Sequence, residues 1–215
     1  MTRSQLRTRI LDGLNESSTS PQFWSPSEVN GVIQDAQEVL AESAHAVKRT
    51  GFLPLQPGTI YYPTAAIGPD VIAPYRIWHP YLHRKLEPVT WAWLDERHET
   101  WATVTGDPWV WFPVSWDTFG VWPASTTGGG MLRVDYLAWP RELLDDGDEP
   151  EYPDSVQDAL VLYGIYDGFC KQWRPMDAVN AWSLLSQEHL GAMNRLGAGR
   201  IQTKSITRGE NGRDR

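Results

Sequence analysis

A change of pattern along the chain constrains its fold most strongly, because both ends show helical periodicity while prolines punctuate the middle. Near the N-terminus, apolar residues recur every three or four positions over residues 4–15 and 26–49. The run Ser25-Pro26-Ser27-Glu28 combines an N-cap serine, a proline at the first helical position and a glutamate two positions later, which is a capping box. Two helices are therefore predicted before residue 52, and Gly51 is a plausible end for the second.

The middle of the chain favours strands. Prolines recur every few residues from Phe52 to Pro140, and short β-prone runs lie between them. These runs are Thr59–Tyr62, Val71–Trp78, Val110–Val114 and Met131–Leu137. Residues 90–105 interrupt the pattern with helical spacing that ends at Gly106. We therefore expect residues 52–140 to form a small antiparallel β domain with one short helix.

Helical spacing returns at Pro153, and Pro175 separates a first helix from a second one over residues 176–196. The second helix is expected to bury its large apolar residues, which are Val179, Trp182, Leu185, Leu190 and Met193. The predicted fold is α+β: a four-helix bundle of two N-terminal and two C-terminal helices, an inserted antiparallel β domain and a flexible C-terminal tail. The expected segments are a helix pair (1–51), the β domain (52–140), an acidic connector (141–152), a helix hairpin (153–196) and the tail (197–215).

Charge limits the classes of function. The net charge of −8 makes a general duplex-binding surface unexpected, because phosphate binding needs clustered Lys and Arg. The charge is uneven: eight acids and no base lie between Glu142 and Asp158, whereas the last sixteen residues carry five bases against two acids. The single cysteine excludes an intramolecular disulfide. No apolar run approaches the roughly 18 residues of a membrane span, so a product without a membrane segment is expected.

Local motifs predict no catalytic residue, no metal site and no cofactor. His79 and His83 are four residues apart, but Pro80 argues against the helix that would let them share a metal. The acidic run at residues 145–149 lacks the spacing of an EF-hand. The Gly-rich phosphate loops and the G-x-S-x-G nucleophile motif do not occur. A catalytic triad whose members meet only in space stays open.

Several motifs in order resemble one family. The stretch from Thr90 to Trp109 looks like an "LD…W…TGxPxxW" pattern, and Leu132–Pro140 is similar to an "LxVxYxxxP" strand. Residues 149–154 resemble a "P-x-x-P-D/E" entry to a helix, and residues 160–173 resemble its "LxxYaxxxa" repeat. Between about residue 3 and residue 196 the order of elements is similar to that of head-to-tail adaptor proteins (connectors, or tail tubular proteins) of tailed bacteriophages.

The resemblance implies a structural virion protein of the neck, made in the host cytoplasm. Family members form a ring of about twelve copies that joins the portal protein to a tail or nozzle protein, with DNA passing through the channel. It implies no enzyme activity, no cofactor and no membrane. The C-terminal tail is expected to reach the portal through residues of the basic end of the chain. These candidate portal-binding residues are Arg200, Ile201, Lys204, Ile206 and Arg208.

Four of the twelve tryptophans lie between Thr105 and Ser125, and they need an explanation. We expect Trp101, Trp111 and Trp122 in the core of the β domain. Trp109 and Trp116 are expected at a subunit or tail interface, because aromatic residues are enriched at the centres of interfaces. Two alternatives remain open: a tryptophan-rich glycan-binding module and a cell-wall hydrolase.

Overall fold

The computed structural model describes residues 1–16, 23–97, 100–128 and 130–190. The described residues form five α-helices and eight strands. The helices are α1 (Arg3–Gly13), α2 (Pro26–Ala44), α3 (Trp91–Arg97), α4 (Asp154–Lys171) and α5 (Pro175–Leu184), and a π-helical turn (Leu185–Leu190) continues α5. The strands are β1 (Lys48–Pro54), β2 (Tyr61–Pro63), β3 (Val71–His79), β4 (Arg84–Lys85), β5 (Glu87–Pro88), β6 (Val110–Pro113), β7 (Thr118–Trp122) and β8 (Met131–Ala138).

The strands form two sheets of four. The first sheet has the order β1-β8-β3-β4 and is antiparallel throughout. The second has the order β2-β7-β6-β5, in which only β5 runs parallel to its neighbour. Strand β8 is central to the first sheet, and its alternating side chains decide how the rest of the chain packs.

One face of β8 joins the helices to the second sheet. At one end, Leu132 and Val134 are fully buried in a core shared with the second sheet. At the other end, Tyr136 and Ala138 are buried in the core of α1, α2, α4 and α5. A third core lies between α3 and the outer part of the second sheet. The inner face of the first sheet therefore packs on helices at one end and on strands at the other.

The predicted four-helix bundle with an inserted β domain is wrong. The structure has five helices, two four-stranded sheets and a β-rich interior, in which strands supply most of the second core and three of the seven buried residues of the third. The physical reason is that strand β8, and not another helix, covers the apolar faces of the helices. Helix α5 packs on α4 through small residues, Ala178 and Ala181, instead of completing a bundle. The division of the chain into the expected segments stays a prediction, and its tail (197–215) lies outside the described residues.

The start of α2 is confirmed, and its predicted end is wrong. The hydroxyl of Ser25 accepts a hydrogen bond from the N–H of Glu28, whose carboxylate accepts the N–H of Ser25. The helix ends at Ala44, because His45 takes a left-handed conformation with φ of 50°. The chain then enters β1, so Gly51 lies in a strand opposite Val134 and is not a helix cap.

The acidic connector is anchored on α1. The N–H groups of Arg3 and Ser4 donate to the carbonyls of Asp148 and Asp146 at 2.8 and 3.1 Å. The Asp146 carboxylate also lies 2.9 Å from the Arg3 guanidinium and 3.0 Å from that of Arg7. These contacts give the acidic residues around Asp146 a fixed position at the N-terminal end of the first helix.

Candidate interaction surfaces

Helix α5 carries an exposed apolar surface, here called the α5 patch. Its side chains are exposed although all are large and apolar: Trp173, Met176, Val179, Trp182 and Leu184. The helix approaches α4 closely because alanines occupy its inner face, which leaves the larger side chains outside. A contiguous exposed apolar surface on a folded protein marks a place where another molecule binds.

The structure corrects the predicted burial of α5. Val179 and Trp182 are exposed, whereas Leu185 is buried as expected. Nothing is described for Met193 or for the side chain of Leu190. Trp182 keeps one contact with the body of the protein, since its ring lies 5.1 Å from that of Tyr166 on α4.

Trp173 is the most exposed residue of the α5 patch. It joins α4 to α5 in a left-handed conformation with φ of 56°, and 91% of it is exposed. Two backbone hydrogen bonds fix the junction, from Trp173 N–H to Cys170 and from Arg174 N–H to Phe169, at 3.1 and 2.9 Å. A non-glycine residue in this region costs roughly 1–2 kcal/mol. Both the conformation and the exposure are unfavourable in the isolated chain, which points to a role in binding.

Sequence reasoning missed Trp173 because it continues the apolar face of α4 in the linear pattern. In the sequence, apolar residues at helical spacing run from Ala159 through Phe169 to Trp173. Helix α4 ends two residues earlier, at Lys171, and the following turn carries the indole away from the core. The only local signal was Pro175, which marks a helix boundary.

Trp116 lies at the tip of the β6–β7 hairpin and is 93% exposed. The tip is well fixed, because the Asp117 carboxylate accepts hydrogen bonds from the hydroxyls of Ser115 and Thr118 at 2.5 and 3.0 Å. These bonds, with that from Ser115 first, lower the pKa of Asp117. The N–H of Thr64 donates to the Asp117 carbonyl at 2.7 Å and ties the hairpin to the neighbouring loop.

Trp109 does not project in the same way. It is half-buried between Trp93 and Trp122, whose ring centroids lie 5.6 and 5.7 Å from its own. Trp101, Trp111 and Trp122 are buried, as expected from the sequence. The tryptophans of the middle region therefore mostly cover one another, and Trp116 is the exception at a rigid tip.

The ionisable groups form no evident reaction centre within the described ranges. His79 ends β3 and His83 lies in the turn that follows, so the two are not on a helix. Burial, with a smaller contribution from Arg84, lowers the pKa of His79. No cluster of three or more metal-ligating side chains occurs among the described residues. In the same part of the chain no helix has the length and apolarity to cross a membrane. The five candidate portal-binding residues of the tail lie outside the described residues.

A two-sheet scaffold that presents an exposed tryptophan on a hydrogen-bonded hairpin and an apolar helix face is suited to contacts with other proteins. The comparison with protein families agrees. The model of the SU10 adaptor protein family matches residues 1–211, and the chain belongs to this family. It is thus a bacteriophage adaptor and a structural protein of the virion, which confirms the resemblance drawn from its motifs. No curated protein matches the chain.

Proposed function

We propose that the chain assembles as a closed ring of about twelve copies that joins the portal protein to the tail around a channel for DNA. The observation that carries the proposal is the α5 patch. An isolated copy leaves Trp173, Met176 and Val179 in water, whereas a partner would cover them. The ring and its size follow from the resemblance to connector proteins, because cyclic symmetry is the closed solution for repeated side-by-side contacts.

The α5 patch is assigned to the portal side. Helix α5 leads towards the basic end of the chain, whose predicted portal-binding residues include Arg200, Lys204 and Arg208. A basic segment that follows an apolar patch in the sequence suits a partner with an acidic rim and an apolar centre. The portal would then be held by two neighbouring parts of one chain.

The Trp116 hairpin is assigned to the tail or nozzle side. It belongs to the second sheet, which packs at the opposite end of the inner face of β8 from the helices. The two contact surfaces are thereby separated along the first sheet, as a protein between two partners requires. The net charge of −8 suits a conduit, because an acidic wall does not hold DNA that must pass.

The test measures the mass of the purified protein by size-exclusion chromatography with light scattering, alone and mixed with the portal of its own genome. A ring near twelve copies of 24.4 kDa, alone or added to the portal mass, is expected. The double variant Trp173→Ser/Val179→Ser should lose portal binding and keep tail binding, and Trp116→Ser should do the reverse. A monomer in both samples, without co-elution, would overturn the proposal.

A further inference from the structure

The outer face of the first sheet is basic and aromatic, in contrast to the acidic chain as a whole. One row crosses all four strands, in which Phe52 faces Arg133, Arg133 faces Trp78 and Trp78 faces Lys85. In the next row Arg76 and Thr50 flank Asp135. Alternate residues of the same strands point to the cores. We call this surface the basic platform and define it by Phe52, Arg76, Trp78, Lys85 and Arg133.

The one acid in these two rows does not neutralise the platform. The Asp135 side chain is only 9% exposed and accepts a hydrogen bond from the Thr50 hydroxyl at 2.8 Å. Two guanidiniums share it: Arg133 at 3.1 Å and Arg76 at 3.8 Å, and each is 49% exposed. With Trp78, these three residues line a shallow cavity of about 300 Å³. One carboxylate against two guanidiniums leaves positive charge at the mouth of the cavity.

A second surface of the same chain is its chemical complement. Glu142, Leu144, Asp145 and Glu149 are exposed on the segment anchored to α1, and we call them the acidic strip. No ion pair within the described part of the chain holds the three carboxylates. The strip is preformed, because the neighbouring Asp148 carboxylate accepts the N–H groups of Leu144 and Asp145, both at 2.8 Å.

We propose that the basic platform of one copy binds the acidic strip of the next copy in the ring, an inference that rests on the proposed function. Leu144 covers Phe52 and Trp78, and the strip carboxylates meet Arg76, Lys85 and Arg133. The two surfaces differ, so the contact is heterologous, and repeated heterologous contacts form a ring when the rotation between copies closes.

A nucleic acid is the less suitable occupant. Basic and aromatic side chains together do bind single strands. Here, however, the Asp135 carboxylate lies at the floor of the cavity, and a chain with a net charge of −8 repels phosphate. A copy of the same chain brings both the negative charge that complements the guanidiniums and an apolar side chain, Leu144, that can pack on Phe52 and Trp78.

The test uses two full-length charge reversals. The platform-reversed copy carries Lys85→Glu and Arg133→Glu, and the strip-reversed copy carries Glu142→Lys and Asp145→Lys. Each copy alone should need about tenfold more protein to assemble, on the portal or without it, because like charges replace opposite ones. An equimolar mixture should assemble as the wild type does, since each reversed surface meets its complement in an alternating ring. Glu42→Lys, a charge reversal at an exposed residue of α2, is the control and should assemble normally.

The outcomes separate the contact from the ring. If the wild type forms rings and both reversed copies form them equally well, the platform–strip contact is wrong and the proposed function stands. If the wild type forms no ring even with the portal, both fail. Rings that persist in the platform-reversed copy while its binding to a single-stranded oligonucleotide is lost would reassign the platform to nucleic acid. Arg133→Gln is the variant that checks for misfolding, because its amide can still donate a hydrogen bond to Asp135. It removes one charge without reversing it, so it should weaken assembly less than the reversal does.

Discussion

Trp173 combines two unfavourable features, an exposed indole and a left-handed backbone, and the two can be separated by substitution. Trp173→Gly removes the ring and the steric cost of a Cβ at φ of 56°, whereas Trp173→Ala removes only the ring. We expect the glycine variant to have the larger free energy of unfolding, by about 1 kcal/mol, when both are unfolded in urea. Both should lose portal binding. Equal stability of the two variants would show that the residue is not held in the left-handed region.

Gly120 of β7 shows how closely the second sheet is packed. A Cβ at this position would lie 2.1 Å from Cζ of Phe112, a fully buried ring on the neighbouring strand. Gly120→Ala should therefore lower the free energy of unfolding by about 1–3 kcal/mol, since the ring has no free space into which it can move.

The control for this substitution is Gly31→Ala in α2. Gly31 has nothing within 4 Å of its Cβ position, and alanine favours a helix over glycine by about 1 kcal/mol. Gly31→Ala should raise stability by about that amount. A loss of stability in both variants would mean that the packing around Phe112 does not explain the effect at Gly120.

At the scale of elements, the contact between the acidic connector and α1 should depend on pH. Hydrogen bonds from Arg7 and then Arg3 lower the pKa of Asp146 from its ordinary value of 3.8 to about 2. A lowered pKa in the folded chain means that this contribution to stability is complete above about pH 4 and is lost as the pH falls to about 2. The urea midpoint of the wild type should therefore fall across this range.

The comparison variant is Asp146→Asn, which removes the titrating group and keeps the shape of the side chain. Its urea midpoint should be lower than that of the wild type at pH 5, and the difference should shrink towards pH 2. Asp145→Asn, beside it but outside these ion pairs, should follow the wild type. A constant difference between Asp146→Asn and the wild type at every pH would show that the ion pairs with Arg3 and Arg7 do not anchor the connector.

Strand β1 shows which elements the sequence could predict and which it could not. Capping boxes and apolar periodicity depend on neighbours in the sequence, so the start of α2 was predictable. The end of α2 was not, because residues 48–54 become a strand only by pairing with β8, more than 75 residues later. Gly51 was expected to end a helix, but the structure requires a glycine there for another reason. A Cβ at this position would lie 2.6 Å from Ile67, so close packing leaves no room for a side chain.

The packing of the whole molecule also depends on contacts that are distant in the sequence. Four amphipathic helices predicted a bundle, but Tyr136 and Ala138 of β8 cover the apolar faces of these helices. Helical periodicity shows that a helix has an apolar face and does not show which element covers that face. For the same reason the α5 patch was mistaken for a core. The burial of Trp101, Trp111 and Trp122 was predicted from their distance from the turns, although Trp101 lies in a short 3-10 helix and not on a strand. The exposure that Trp116 needs for a contact followed from its place in a turn.

The proposed division of roles between the body and the end of the chain leads to a prediction for the whole molecule. Every buried residue of the described cores lies at or before Leu185, so deletion of residues 197–215 should leave the melting temperature unchanged. It removes five bases and two acids from a chain that is otherwise acidic. We expect the truncated protein to keep its ring and lose portal binding in a co-elution measurement, with the α5 patch insufficient on its own.

The contributions of charge and of apolar contact to portal binding by residues 197–215 can be distinguished with substitutions in the full-length chain. The triple variant Arg200→Gln/Lys204→Gln/Arg208→Gln keeps Ile201 and Ile206 but removes the charges that attract an acidic partner. If attraction dominates, this variant should bind the portal more slowly, and its binding should depend less on salt than that of the wild type, because exposed charges are screened beyond about 10 Å at 0.1 M salt. If it binds as the wild type does while Ile201→Ser/Ile206→Ser fails, the isoleucines make the contact. Normal portal binding by the truncated chain would contradict both and leave the α5 patch as the portal surface.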